Sequence, residues 1–308
     1  MSLQRHDRFD RRPSHPIAVE FALVTATLVG VFLWRRLSRA AFSVVFGSPV
    51  FDGPVVGGLV TGGFFVGGVA LFAALYAGVR GVDVGLSLPT RDDLEPLGVA
   101  VALPVALVAL TKLVGVATGV PYNSFTKTAY AADAPVTAVL VVAGLGVAVA
   151  VPVLVIVCQV LVQGSFRRVV DGESAVVLTT LVTGFVAVST AGGVTAVPDR
   201  GKIAGSALFA LLLVGGLYAR DRIDGGRLRS LVLVPAALFV ALVVLSGVAA
   251  VGSVAGGLFA LAHLAVLGVA AATYERTGSV AVPAVAYATL LLANRLVVFL
   301  FEAGMQSW

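Results

Sequence analysis

Between Ile17 and Phe301 the chain is a succession of long apolar runs, and hardly any acid, base or metal ligand lies inside them. A helix needs roughly 20 apolar residues to cross the hydrocarbon core of a bilayer. In lipid, the backbone N–H and C=O groups must be satisfied internally, and uninterrupted runs favour helices over the short alternating strands of a barrel. The sequence therefore predicts an all-α fold, a polytopic transmembrane helical bundle.

The composition excludes several classes of protein. Hydrophobic residues make up 59% of the chain and charged residues only 12%, whereas soluble domains average about 25% charged residues. The net charge of +5 is scattered over short loops and forms no basic block, so we expect no nucleic-acid partner. The single cysteine, Cys158, excludes an internal disulfide, and without paired ligands or a nucleotide loop we expect no metal and no cofactor. Membrane lipids are the first expected partners.

Charges and turn residues divide the apolar region into nine candidate spans. The least certain division lies within Leu231 to Thr273, where only Gly252 and Ser253 supply a turn, so the count is eight or nine. The predicted spans are Ile17 to Trp34, Val55 to Val79, Leu97 to Thr118, Val136 to Val162, Ala175 to Val197, Ile203 to Ala219, Leu231 to Val251, Val254 to Thr273 and Val280 to Phe301.

The basic residues of the loops predict an orientation in the cell membrane. The amino-terminal tail and the loops after even-numbered spans carry 13 Arg, against 6 Arg or Lys in the other loops. Because basic loops stay in the cytoplasm, we expect the amino terminus inside and the carboxyl terminus outside. Residues 1–16 are thus predicted to form a basic cytoplasmic tail, and residues 17–308 a single transmembrane domain.

Ionisable residues at membrane depth are functional candidates by default, and this chain has few. We expect Glu20 and Glu302, near span ends, to be solvated at the interface, and Lys112 to extend its long stem to the interface in a structural role. The glycine pairs of span two, Gly57-Gly58, Gly62-Gly63 and Gly67-Gly68, favour close helix packing over a hinge or a narrow passage.

Polar residues inside the later spans need partners. His263, alone in span eight, is expected to be a hydrogen-bonded bundle residue rather than a metal ligand. Arg295, beside Asn294 in span nine, should face the bundle interior, a carbonyl cluster or a water pocket. Gln159 and Gln163 share one helical face, and interhelical hydrogen bonding is the favoured role for both.

The end of span four resembles a family signature. The segment Val162-Gln163-Gly164-Ser165-Phe166-Arg167-Arg168 is similar to the Glu-Glu-x-x-Phe-Arg motif of the CPBP family, the CAAX prenyl protease and bacteriocin-processing-like membrane proteins. The stretch from Tyr274 to Pro283 looks like the family sequence before its last histidine. A CPBP-like core would cover about residues 97–301.

The resemblance assigns motif positions, and most of the catalytic letters differ. Val162 and Gln163 stand where the family has two glutamates, while Phe166 and Arg167 match. The family's Phe-x-x-x-His falls either on Phe185 and Ser189, which we prefer, or on Phe259 and His263. Its final His-x-x-x-Asn falls on Tyr287 and Leu291, with Asn294 nearby.

A glutamine amide cannot replace the general base that the family's hydrolysis needs. The resemblance therefore implies a degenerate intramembrane endopeptidase, a pseudoenzyme that binds a membrane protein, a prenylated peptide or a lipid. Residual hydrolysis would rest on a polar cluster of Gln163, Arg167, His263 and Asn294. The alternatives are an active divergent protease, a small transporter or permease subunit using Lys112, His263 and Arg295, and a structural subunit.

Overall fold

A computed structural model describes residues 15–45, 54–189, 192–223, 229 and 231–305. Within these ranges the chain forms nine main helices, two short strands and a few single helical turns. The predicted basic residues Arg5, Arg8, Arg11 and Arg12 lie outside the described residues. The helices are α1 (Pro16–Val45), α2 (Pro54–Arg80), α3 (Leu94–Thr118), α4 (Val136–Phe166), α5 (Gly172–Ala187), α6 (Arg200–Arg222), α7 (Val234–Ala249), α8 (Val254–Thr277) and α9 (Ala281–Glu302).

The predicted all-α bundle is confirmed. Seven of the described helices are long and apolar enough to cross a membrane, while α5 and α7 are shorter, at 16 residues each. Large aliphatic side chains on the outer faces are exposed, such as Leu113, Leu211 and Leu245, each more than 60% accessible. A water-soluble protein rarely exposes so much contiguous apolar surface. The chain is thus an integral membrane protein.

Successive helices alternate between two ends of the bundle. The start of α1 meets the ends of α2 and α6, since Glu20 pairs with Arg80 and His15 pairs with Asp221. The end of α8 also lies there, where Glu275 pairs with Arg167 after α4. We call this the N-terminal end and the opposite one the far end. The loops predicted to share one side thus share one end; which end faces the cytoplasm stays a prediction.

The centre of the bundle is formed by α3, α8 and α9, which pack closely against one another. Helix α4 contacts α2 on one side and α9 on the other, and α5 packs against α8 and the end of α4. Helix α7 packs chiefly against α6 at the periphery. The core therefore has two parts that meet at α4, one formed with α3, α8 and α9 and the other with α1, α2 and α5.

The sequence predicts that the fifth apolar run continues as a helix to Val197, but the helix ends earlier. Helix α5 ends at Ala187, and strand β1 (Val188–Ser189) pairs antiparallel with strand β2 (Gly193–Val194). Gly192 and Gly193 have φ of 107° and 75°, a region that side-chain-bearing residues rarely adopt. The run is apolar because it packs in the bundle, while its glycines allow a turn that hydropathy alone does not reveal.

The end of α4 departs from α-helical geometry. Residues Ile156 to Gln163 form a π-helix, which begins one turn after Pro152. Proline has no N–H to donate, so it interrupts the α-helical hydrogen-bond ladder at this point. Long π segments are rare in proteins and occur frequently at functional sites. This segment carries both glutamines of α4.

In two of the three glycine pairs of α2, one glycine lies tightly against a neighbouring helix. A Cβ added to Gly62 would lie 2.4 Å from Val149 of α4, and one added to Gly68 would lie 2.2 Å from the Trp34 ring of α1. Gly63 and Gly67 have open space beside them. The predicted role in close packing is confirmed, on two sides of α2.

Candidate functional site

The candidate motif residues of α4 contact the end of α8. The Gln163 amide donates to the Ala271 carbonyl at 2.9 Å and to Glu275 Oε2 at 3.2 Å. The same carboxylate oxygen lies 3.2 Å from Nε of Arg167, whose guanidinium is 5.7 Å from the centre of the Tyr274 ring. We call these residues, with Gln159 and Tyr287, the glutamine cluster.

Tyr287, at the position of the family's last histidine, lies one helical turn deeper. The Gln159 amide donates to its hydroxyl at 2.9 Å, so α4 and α9 are joined across the core. Interhelical hydrogen bonding, the role expected for both glutamines, is confirmed. One side-chain oxygen of each, Oε1 of Gln159 and Oε1 of Gln163, is buried and has no partner among the described residues.

The glutamine cluster is closed towards its interior. Gln159 and Gln163 are 0% exposed and Tyr287 is 1% exposed. Only Arg167 and Glu275, at the N-terminal end of the bundle, reach solvent. No residue of the cluster lines the cavity between α1 and α2, the cavity among α1, α5, α6 and α7, or the cavity among α1, α2 and α4. Gln159, Gln163 and Tyr287 therefore form a packed polar contact.

The remaining motif positions lie in or beside the core, or at the end of α5. Val162 and Phe166 are fully buried, and Leu291 packs at the edge of the core. Ser189 and Tyr287 lie at different depths in the bundle. Ser189 follows the 16 residues of α5, so it is about 24 Å from the start of that helix. Tyr287 is only six residues into α9, about 9 Å from its start. The structure thus brings together Gln163, Arg167 and Tyr287, but not Ser189.

A second polar group, the histidine cluster, lies in the far half of the bundle. His263 Nδ1 is 2.7 Å from the Phe259 carbonyl, and its Nε2 is 3.1 Å from the Asn294 amide nitrogen. The amide therefore donates to Nε2, and the proton of the neutral imidazole is on Nδ1. Oδ1 of Asn294 accepts from the Tyr122 hydroxyl. Burial, together with the charge of Glu302, raises the pKa of Tyr122, so this hydroxyl stays a donor.

Lys112 and Glu302 extend the histidine cluster to the far end. They form an ion pair, and Glu302 also accepts from the backbone N–H groups of Tyr122 and Asn123, at 2.8 and 2.6 Å. The expectation that Glu302 is solvated is wrong, because its side chain is 2% exposed. Lys112 has a structural role, as expected, but through this pair rather than at the interface. Together these contacts fix the loop after α3 against the end of α9.

Glu20 is also buried, contrary to expectation. It is 5% exposed and pairs with Arg80 at the N-terminal end. Its Oε2 and the Nε of Arg80 are buried without a further partner among the described residues. The sequence could not show this, because the two residues are 60 positions apart and either could have faced solvent.

Arg295 faces a backbone carbonyl, which is close to one of the three environments predicted for it. Its Nη1 donates to the Val142 carbonyl of α4 at 3.2 Å. A Cβ on Gly146 would lie 2.4 Å from its Nη2, so this glycine provides the space for the guanidinium. Arg295 therefore points away from the histidine cluster, although Asn294 is adjacent in sequence.

An apolar cavity of about 270 Å³ lies between α1, α5, α6 and α7. Four phenylalanines line it, Phe21, Phe185, Phe209 and Phe239, and among the described residues its only polar lining residues are Thr25 and Ser206. We call it the phenylalanine cavity. Phe21 also contacts Phe166 of the motif segment, with ring centres 5.0 Å apart. The cavity thus borders the segment that resembles the family signature, and it contains the motif position Phe185.

The four residues proposed for residual hydrolysis form two separate groups. Gln163 and Arg167 belong to the glutamine cluster, and His263 and Asn294 to the histidine cluster. On α8, His263 is eight residues from Ala271, the partner of Gln163, which is about 12 Å along the helix. Among the described residues, no group of three or more His, Cys, Asp or Glu is placed to hold a metal ion.

The sequence did not indicate Glu275 or Tyr122 as site residues. Glu275 connects residues within the glutamine cluster, and Tyr122 connects residues within the histidine cluster. Glu275 follows span eight at the same predicted side as Arg167, so the topology could have indicated their pairing. Tyr122 had no such signal, because it lies in a loop and its partner Asn294 is 172 residues away.

Comparisons with known proteins add no relative to this geometry. No protein-family model matches the chain, and no match is found among curated proteins or among solved structures.

Proposed function

We propose that this membrane protein is a degenerate member of the CPBP family that binds a prenylated peptide without hydrolysing it. The proposal rests chiefly on one observation: Gln163, at the position of a family glutamate, is a fully buried amide donating to Ala271 and Glu275. The phenylalanine cavity borders the same segment through the contact of Phe21 with Phe166.

The arrangement does not favour hydrolysis. A general base must reach the water it activates, and an amide has no suitable proton affinity. The carboxylate of the cluster, Glu275, already accepts from Gln163 and pairs with Arg167. Serine at position 189 and tyrosine at 287 replace the family's histidines, and they lie at different depths. Among the described residues, the site therefore has neither an uncommitted base nor a converged set of motif positions.

A hydrocarbon chain is the occupant that the phenylalanine cavity suits. No charged residue lines the cavity, so it offers nothing to a headgroup or to a soluble substrate. Its aromatic and aliphatic walls match an isoprenoid chain, and contact with such walls is the main stabilising term for an apolar ligand. Arg167 is partly exposed at the N-terminal end of the bundle and can meet the carboxylate of an attached peptide.

Photolabelling with a farnesylated peptide tests the proposal. The protein, in phosphatidylcholine nanodiscs, is labelled with a peptide whose farnesyl chain carries a diazirine, and labelled residues are mapped. We expect labelling of the cavity walls and its loss in Val243→Trp, which fills the cavity from α7. The matched control is Leu242→Trp, on the lipid-facing side of the same helix, which should label normally. Equal labelling of the two variants would contradict the proposal.

The same peptide tests for catalysis. We expect no cleavage by the purified protein. Cleavage that Arg167→Ala abolishes would establish an active divergent protease instead.

The transporter alternative has less support from the geometry. It requires a polar path along Lys112, His263 and Arg295. Lys112 and His263 each bind a protein partner, Arg295 points to α4, and none of the three cavities is lined by any of them.

A further inference from the structure

A larger cavity lies closer to the far end of the bundle. It has a volume of about 730 Å³ and lies between the last third of α1, the first half of α2, the middle of α4 and residues 194–197. Its deeper wall is aliphatic, with Leu145, Val149 and Val153 of α4. Its polar groups are concentrated on α1, where Arg35 and Arg39 line it. We call it the arginine cavity.

The two guanidinium groups lack a counter-charge among the described residues. Arg35 and Arg39 are four positions apart, so they share one face of α1 and repel each other. No ion pair of either residue is formed within the described part of the chain. Arg35 is partly buried, and a desolvated cation without a partner is costly in a membrane protein.

The neutral polar groups of the cavity are already engaged. The Ser38 hydroxyl donates to the Trp34 carbonyl at 2.7 Å, and the Thr61 hydroxyl donates to the Gly57 carbonyl at 2.5 Å, each within its own helix. The Thr195 hydroxyl donates to the Ala187 carbonyl at 3.4 Å. The guanidinium N–H groups are therefore the donors that a ligand in this cavity would meet, and guanidinium binds phosphate oxygens in a bidentate manner.

We propose that the arginine cavity binds one anionic phospholipid, with its phosphate between Arg35 and Arg39 and an acyl chain along the aliphatic wall of α4. The phosphate would offset the repulsion of the two cations, and the wall explains why a lipid rather than a free anion is bound. Basic pockets between transmembrane helices are known to take lipid headgroups. This site shares no lining residue with the phenylalanine cavity, and the inference goes beyond the proposed function.

Lipid binding to delipidated protein tests the site. The protein in neutral detergent is titrated with phosphatidylglycerol and with phosphatidylcholine, and bound lipid is counted by native mass spectrometry. We expect one tightly bound phosphatidylglycerol and at least tenfold weaker binding of phosphatidylcholine. The Arg35→Gln/Arg39→Gln variant should bind phosphatidylglycerol about tenfold more weakly or worse.

Two further variants keep the test decisive. Arg36→Gln removes a neighbouring charge that lines a different cavity, between α1 and α2, and should bind phosphatidylglycerol normally. Ala150→Trp fills the aliphatic wall without changing charge and should weaken binding of phosphatidylglycerol even if the double arginine variant fails to fold. Each variant is checked for its melting temperature.

Three outcomes would overturn the inference. One is equal affinity of the wild type for the two lipids, and another is equal weakening by Arg36→Gln and by the double variant. The third is displacement of the lipid by excess glycerol phosphate, which would indicate a site for a free phosphate. None of these outcomes bears on labelling by the farnesylated peptide, so the two proposals fail separately.

Discussion

The side-chain amide of Asn294 lies 3.1 Å from Nε2 of His263 and accepts from the Tyr122 hydroxyl on its other side. Three segments that are distant in sequence, α8, α9 and the loop after α3, are thus held by one buried amide. Because each donor has an acceptor, the contact needs no proton transfer and no bound ligand. The histidine that the sequence singles out is a packing residue of the bundle.

Replacement of Asn294 by leucine should destabilise the protein by about 2 kcal/mol, since the Tyr122 hydroxyl and His263 Nε2 would lose their partner in a buried site. Thermal unfolding in detergent measures the change. The control is Leu292→Ala, on the exposed face of the same helix. Tyr122→Phe combined with Asn294→Leu should cost less than the sum of the two single changes. If the losses of unfolding free energy in the two single variants add up to that of the double variant, the hydrogen bond between Tyr122 and Asn294 contributes nothing to stability.

The effects on stability of replacing Lys112 and Glu302 should be strongly coupled. Lys112→Met leaves a buried carboxylate without its cation, and we expect a loss of about 3 kcal/mol in unfolding free energy. Glu302→Gln removes the unpaired charge and keeps an acceptor oxygen for one of the two N–H groups of Tyr122 and Asn123, so the double variant should be more stable than Lys112→Met alone. Chemical unfolding of the three variants measures this, and a double variant no better than Lys112→Met would refute the coupling.

Replacing either of two neighbouring glycines of α2 by alanine should have opposite effects on the stability of the protein. Gly68→Ala places a methyl group 2.2 Å from the Trp34 ring, which is held by its bond to the Phe65 carbonyl, and should cost about 1–3 kcal/mol. Gly67→Ala has open space and should be neutral or stabilising by up to about 1 kcal/mol, through helix propensity. Melting temperatures compare the two variants; equal effects would contradict the packing assigned to α2.

A glutamate at position 163, as in the CPBP signature that this segment resembles, should not produce hydrolysis. Gln163→Glu places a carboxylate against the Ala271 carbonyl and Glu275, so a donor is replaced by a repelled anion in a fully buried site. We expect a lower melting temperature and no cleavage of the farnesylated peptide. Gln163→Met, of similar length and uncharged, is the control for lost hydrogen bonds. Peptide cleavage by Gln163→Glu would show that the site is one substitution from activity.

The N-cap of α5 predicts a pH dependence. Hydrogen bonds from the Ser174 N–H and hydroxyl lower the pKa of Asp171 in the folded protein. A lowered folded-state pKa means that its stabilisation is present above the unfolded pKa, near 3.9, and is lost as the pH falls through the folded-state value. Asp171→Ala should therefore lower the melting temperature at neutral pH, and its difference from the wild type should shrink in acid. A difference that does not shrink as the pH falls would contradict this role of Asp171.

Apolar run length and the spacing of charges were enough to predict the membrane bundle, the approximate bounds of most helices and the loops that share an end. These properties follow from local chemistry, because a bilayer forces each apolar segment to satisfy its own backbone hydrogen bonds. The close packing of α2 was also predictable, since paired glycines have few other uses within an apolar helix.

What the tertiary structure decided is the partner of each polar side chain. From the sequence, Gln163, Arg167, His263 and Asn294 are candidates for one cluster. The fold instead separates the pair Gln163 and Arg167 from the pair His263 and Asn294 by about 12 Å, measured along α8. Glu275 is the partner in the first pair, and Tyr122 is the partner of Asn294. Pairs such as Glu20 with Arg80, or Lys112 with Glu302, join residues 60 and 190 positions apart. Hydropathy sets only how deep a residue lies; the rotation and packing of whole helices set which side chains meet.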